Sequence, residues 1–160
     1  MITLVLGGAR SGKSALAESL VPADAAATYV ATLHVGADED LAARVAAHRA
    51  RRPAAWRTRE CGPDLPAELR ALEGPVLVDS LGPWVAQGGA GQTGALVAAL
   101  RERAGDTVVV SEEAGLGVHP ASAAGRAFRD ALGTCNQAVA AAADTVVLVV
   151  AGCVLTLKGA

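Results

Sequence analysis

Gly7-Gly8-Ala9-Arg10-Ser11-Gly12-Lys13-Ser14 follows an apolar run at residues 2–6 and opens a helix-forming stretch at residues 13–20. A strand therefore enters a glycine-rich turn and leaves it as a helix, and the octet fits G-x-x-x-x-G-K-[ST] in the context that pattern needs. Glycines let successive N–H groups curl inward as an anion nest, and the helix beginning near Lys13 aims the positive end of its dipole at the same point. Lys13 would reach the β and γ oxygens of a nucleotide, and the Ser14 hydroxyl would ligate Mg2+. The alternative is a glycine-rich turn that carries a lysine by chance. Composition speaks against it: arginine occurs twelve times and lysine only twice, at Lys13 and Lys158.

Outward from that turn, β-branched apolar runs alternate with alanine-rich segments, the pattern of βαβ units building a parallel sheet. Strands are expected over residues 2–6, 28–32, 55–59, 76–79, 107–112, 145–150 and 154–158, and helices over 13–20, 38–51, 64–72, 91–103 and 121–142, the last with a kink near Gly133. Several strands are apolar on consecutive positions, so helices should cover both faces. The run at 154–158 follows its predecessor too closely for a parallel crossover and must pair antiparallel. The expected fold is a three-layer α/β sandwich on a mostly parallel sheet of about seven strands, with one antiparallel edge strand. Residues 145–157 read as buried strand rather than a membrane span, and the glycine-rich patch at 87–94 reads as a flexible loop.

The chain has 160 residues, 52% of them hydrophobic and 19% charged, which suits one domain spanning 1–160 with an ample core. Aromatic residues make up only 2% and the net charge is −2, so neither base-stacking platforms nor a basic field is available and a nucleic-acid partner is not expected. Cys61, Cys135 and Cys153 are odd in number and lack CxxC spacing, which points to reduced thiols and a cytoplasmic location. No signal peptide and no membrane insertion are expected.

A magnesium site on a phosphate cradle calls for a carboxylate at the end of a neighbouring strand. Asp79, closing Val76-Leu77-Val78, is the preferred candidate; Glu112 and Glu113 compete for the role. A second feature lies on the helix expected over 38–51, where Arg44, His48 and Arg51/Arg52 share a stripe at i, i+4 and i+7/i+8. Such a stripe can grip a triphosphate, and its guanidiniums would keep His48 neutral and nucleophilic toward phosphorus. Spacing by itself nevertheless favours a solvated basic helix.

The wider sequence resembles a known family. Residues 7–14, Tyr29-Val30-Ala31-Thr32, Ala43-Arg44-Val45-x-x-His48, Arg52-Pro53-x-x-Trp56-Arg57-Thr58-x-Glu60, Val78-Asp79, Glu113-x-Gly115-x-Gly117-x-x-Pro120, Arg126-x-Phe128-Arg129-Asp130-x-x-Gly133-x-x-Asn136-Gln137 and Ala143-Asp144-x-Val146 come in that order. Together they resemble the bifunctional adenosylcobinamide kinase/adenosylcobinamide-phosphate guanylyltransferases of cobalamin biosynthesis. The resemblance implies a P-loop nucleotide-binding fold, assembled as a homo-oligomer, a trimer. It also implies an enzyme that phosphorylates adenosylcobinamide with ATP or GTP, then transfers GMP from GTP to adenosylcobinamide phosphate. Under that resemblance His48 carries GMP covalently, against the odds from spacing. Ala31, Thr32, Leu33, Arg49, Ala50, Arg51, Arg52, Glu60 and Asp79 then join Gly7, Gly8, Ala9, Arg10, Ser11, Gly12, Lys13 and Ser14 in the nucleotide site.

The chain departs from the family pattern in three places. Glu112 stands where relatives tend to have Asn, adding a negative charge near the expected phosphate site. Leu33 and His34 occupy a loop position where small polar residues are common, and the 87–94 region is shorter and less apolar than usual. A small-molecule kinase without the guanylyl step is the serious alternative and would use His48 only as a helix residue. A regulatory GTP switch would need an Asn-Lys-x-Asp loop, to which Asn136-Gln137-Ala138-Val139 is the nearest approach. A catalytically dead structural subunit is disfavoured by intact Lys13, Ser14 and Asp79.

Overall fold

Strand β1 (Ile2–Gly7) is buried at every residue because both of its faces are covered. Ile2, Leu4 and Leu6 point into one core with Leu65, Leu69, Leu96, Leu100 and Leu132, while Val5 points into a second with Ala17, Tyr29 and Trp56. Side chains alternate across a strand, so a continuous apolar run supplies two cores at once. The computed structural model describes residues 1–33 and 52–159. The helix expected over 38–51 lies outside the described residues.

The remaining strands are β2 (Thr28–Ala31), β3 (Arg57–Glu60), β4 (Val76–Asp79), β5 (Thr107–Glu112), β6 (Thr145–Val150) and β7 (Cys153–Lys158), in the spatial order β3-β2-β4-β5-β1-β6-β7. All pairings are parallel except β6 with β7. The expected seven-stranded, mostly parallel sheet with one antiparallel edge strand is therefore present. Helices α1 (Lys13–Ser19), α2 (Leu65–Ala71), α3 (Leu81–Ala86), α4 (Thr93–Glu102) and α5 (Ala123–Ala142) flank it.

Local chemistry starts and stops these helices. Asp64 caps α2 by accepting from the Ala67 N–H at 3.4 Å, and Ser122 caps α5 by accepting from the Gly125 N–H at 3.0 Å. At the far end of α5, Lys158 Nζ donates to the carbonyls of Ala140, Ala141 and Ala143 at 3.0, 3.2 and 2.6 Å, satisfying acceptors the helix leaves open.

Helix α5 is continuous through Gly133, where an added Cβ would meet open space. Three expectations need correction. The 87–94 patch is not a free loop: residues Gly89–Gln92 form a 3-10 turn leading into α4, and Gly89 lies so close against the Trp84 ring that a Cβ would overlap it. Gly89 thus serves close packing, and Gly88 before it supplies a left-handed turn at φ 94°. Residues 81–86, given no helix by the sequence, form α3. Finally, 145–157 is buried only in part, since every residue of β7 is exposed, Leu155 to 56%. Trp56 packs in the second core.

Among the described residues, no helix is long and apolar enough to cross a membrane. The three cysteines are free, with Cys61 and Cys135 buried and Cys153 exposed. Burial, helped by Glu68 and Asp64, pushes the Cys61 thiol up to about 11, and burial raises Cys135 as well. A raised thiol stays protonated and unreactive until the pH climbs toward that value. At pH 8 a disulfide-exchange reagent should titrate Cys153 rapidly in the native chain and reach Cys61 and Cys135 only after unfolding. Fast reaction of all three would contradict the packing described.

Candidate functional site

The register of the sheet gathers the chemistry at one edge. Gly7 is paired with Glu112 of β5, Ala31 is paired with Glu60 of β3 and with Asp79 of β4, so the carboxyl ends of five strands converge there. Ligands in open α/β sheets sit outside such carboxyl ends.

The cradle itself is residues 7–12. A Cβ on Gly7 would overlap Ser11 Oγ and press on the Val149 carbonyl at 2.9 Å, so only glycine fits at the exit from β1. Gly12 adopts a left-handed φ of 98° immediately before α1, and Arg10 is left-handed too, at 57°. From outside, the Gly152 N–H of the β6–β7 turn donates to the Ser11 carbonyl at 2.9 Å, pinning the loop. Ser11 is buried and its hydroxyl has no hydrogen-bond partner among the described residues. Lys13 Nζ donates to the Gly8 carbonyl at 3.2 Å and stands 3.9 Å from Glu112 Oε1. Ser14 is half-buried at the start of α1, whose first turn carries no acid.

Asp79, at the end of β4, accepts from the Tyr29 hydroxyl at 2.5 Å. Burial, then the neighbouring Asp79 charge, hold the Tyr29 phenol well above its usual range, so it remains a donor at every ordinary pH. The Arg52 guanidinium lies over the Tyr29 ring, 3.3 Å from its centroid, and donates to Thr58 Oγ1 at 2.8 Å. Thr32 is buried; its hydroxyl donates to the Ser80 carbonyl and accepts from the Ser80 N–H at 3.2 Å. Gln87 in turn donates to the Thr32 carbonyl at 2.9 Å.

Of the two competing glutamates, Glu113 accepts from the Gly115 N–H at 2.6 Å, while Glu112 faces the cradle lysine. Asn136 of α5 accepts from Ser111 Oγ at 2.6 Å and donates to the Glu112 carbonyl at 3.0 Å, fixing the end of β5. Two cavities share Glu113. One is lined by Gly8, Arg10, Ser11 and Leu116, the other by Asn136, Gln137 and Leu157.

The structure thus brings Gly7 to Ser14, Ala31, Thr32, Asp79 and Glu112 to one edge, with Arg52 beside the Tyr29–Asp79 pair and Glu60 exposed at the end of β3. Leu33 is half-buried where the chain leaves that edge. His48, Arg49, Ala50 and Arg51 lie outside the described residues. Sequence reading missed the positioning roles of Tyr29, Ser80, Gly82 and Gln87, because each acts on a group more than twenty residues away. Ser14 and Asp79 offer hard oxygen donors of the kind magnesium takes. No group of three His, Cys, Asp or Glu among the described residues could hold a metal unaided, so a cation there would complete its shell from phosphate and water.

Three comparisons bear on this arrangement. A model described as cobinamide kinase / cobinamide phosphate guanyltransferase matches residues 3–157. The bifunctional adenosylcobalamin biosynthesis protein CobP of Pseudomonas aeruginosa is 42% identical over 171 residues, covering 99% of this chain and 98% of the relative. The bifunctional adenosylcobalamin biosynthesis protein CobU of Salmonella typhimurium is 36% identical, covering 99% and 100%. Among solved structures, a type III secretion system ATPase from pathogenic bacteria superposes with a TM-score of 0.55 at 9% identity, over 92% of this chain and 50% of that one, which shows a shared fold. A family match over nearly the whole chain, on a nucleotide-binding fold with the cradle intact, makes this chain a kinase and guanylyltransferase enzyme of the cobinamide kinase / cobinamide phosphate guanyltransferase family.

Proposed function

We propose that this chain catalyses two successive reactions of adenosylcobalamin biosynthesis within a single domain. In the first, the terminal hydroxyl of adenosylcobinamide attacks the γ-phosphorus of ATP or GTP, its proton leaves, and the nucleoside diphosphate departs. In the second, a neutral His48 nitrogen attacks the α-phosphorus of GTP, the bond to pyrophosphate breaks, and GMP rests on the imidazole. A phosphate oxygen of adenosylcobinamide phosphate then displaces the imidazole, giving adenosylcobinamide-GDP and free His48. The observation that carries this reading is Lys13, held at the mouth of the cradle by the Gly8 carbonyl, at the sheet edge where Asp79 ends β4.

Gly7 to Ser14 would wrap the phosphates, with Ala31, Thr32, Leu33, Arg49, Ala50, Arg51, Arg52, Glu60 and Asp79 completing the nucleotide site. Ser14 and Asp79 would hold Mg2+, directly or through water, and the cation would neutralise charge on the phosphates. Tyr29 keeps the Asp79 carboxylate aimed. A homo-oligomer, a trimer by resemblance, belongs to the same proposal, and the exposed Val154, Leu155 and Leu157 of β7 offer it an apolar edge. So does a cytoplasmic location, which suits three free thiols.

Incubation with GTP labelled at the α-phosphate and Mg2+ should give an acid-labile, alkali-stable protein adduct. His48→Ala should abolish it in a folded chain. A wild type that phosphorylates cobinamide yet never labels would instead establish a kinase without the guanylyl step. Lys13→Ala should weaken GTP binding roughly 30-fold, the loss of about 2 kcal/mol from an unpaired phosphate; near-unchanged affinity would remove the cradle from the reading. Tyr29→Phe takes one donor from a charged acceptor and should cost about tenfold in Mg2+-dependent GTP affinity, near 1.5 kcal/mol. Light scattering should return a mass that is a multiple of the chain's, and a monomer at every concentration would end the oligomer proposal.

A further inference from the structure

Glu112 closes β5 directly beside Gly7, and its carboxylate is committed on both oxygens. Oε1 accepts from the Ser80 hydroxyl at 2.7 Å, and Oε2 accepts from the Gly82 N–H at 2.9 Å. A Cβ on Gly82 would overlap that carboxylate, so the corner after Asp79 is shaped around it. On the other side Oε1 stands 3.9 Å from Lys13 Nζ. The acid is therefore wedged between the segment that follows Asp79 and the cradle lysine.

Anchoring the turn does not call for charge: a neutral amide could accept from the Gly82 N–H with its oxygen while its NH2 donates to the Ser80 hydroxyl. A carboxylate adds a full negative charge next to one of only two lysines in the chain, on an edge where Asp79 already contributes another. A bare triphosphate brings several negative charges of its own into that company, and in a half-buried site such repulsion is weakly screened. A triphosphate complexed with Mg2+ brings two fewer.

We propose that the Glu112 carboxylate makes the cradle select the magnesium-complexed nucleotide over the free one, acting as a positioning and specificity residue through its charge on Lys13. The inference rests on the nucleotide site proposed above and assigns that site its preferred form of ligand.

The test is direct binding of GTP in excess Mg2+ and in excess EDTA, taken as the ratio of the two dissociation constants. Glu112→Gln should strengthen metal-free binding by about tenfold while leaving metal-complexed binding within about threefold, so the ratio shrinks by roughly an order of magnitude. Glu112→Asn provides a second neutral variant should the glutamine chain fail to fold. Ser80→Ala removes the hydroxyl donor but keeps the charge, and its ratio should match wild type. An unchanged ratio in the neutral variants, or equal weakening in both buffers, reduces Glu112 to a structural anchor and overturns the proposal. A ratio that narrows as much in Ser80→Ala overturns it as well, because geometry rather than charge would be responsible. Wild type that binds GTP in neither buffer would remove the nucleotide site itself, an outcome separate from these.

Discussion

The backbone between β1 and α1 has to reverse direction within five residues while keeping its amides pointed at one spot, and the surrounding structure exists to hold it there. Gly7 leaves β1 too close to Ser11 and Val149 for any side chain, Gly12 enters the helix in a left-handed conformation, and Gly152 fastens the loop from the neighbouring hairpin. None of these contacts is strong singly. Their combined effect is that the cradle is shaped before a ligand arrives, which spares binding the cost of ordering it.

Charge is distributed around this loop with the same economy of means. Lysine is nearly absent from the chain, and its two copies are both spent on backbone carbonyls at chain turns: Lys13 at Gly8 and Lys158 at the end of α5. The acids opposite Lys13 are held by neutral donors: Asp79 by a phenol that burial keeps protonated, Glu112 by a hydroxyl and an amide. Neutral donors such as these fix a carboxylate's direction without cancelling its charge.

The hairpin of β6 and β7 shows how one element serves two ends. Its turn braces the cradle through Gly152, and its last residue, Lys158, caps the helix that delivers Asn136 to the end of β5. Its outer strand meanwhile leaves apolar side chains in water, which a chain with a well-filled interior has no need to do.

Much of this was legible in the residues themselves. Continuous apolar runs bounded by polar strand ends dictated a sheet covered on both faces, and the glycine-lysine-serine turn dictated its place at the end of the first strand, because both depend on neighbours in the chain. The short reversal after β6 likewise left antiparallel pairing as its one outcome. What distance along the chain conceals is different: Tyr29 on Asp79, Thr32 on Ser80, Asn136 on Ser111 and Glu112 beside Lys13 join residues that only the tertiary arrangement brings within hydrogen-bonding or ion-pairing reach. The same holds for Gly89, which read as freedom and proved to be contact with Trp84. Periodicity and turn chemistry act over a few residues and so are written locally, whereas the direction of a carboxylate or the space beside a ring is set by whichever segment the sheet places opposite it.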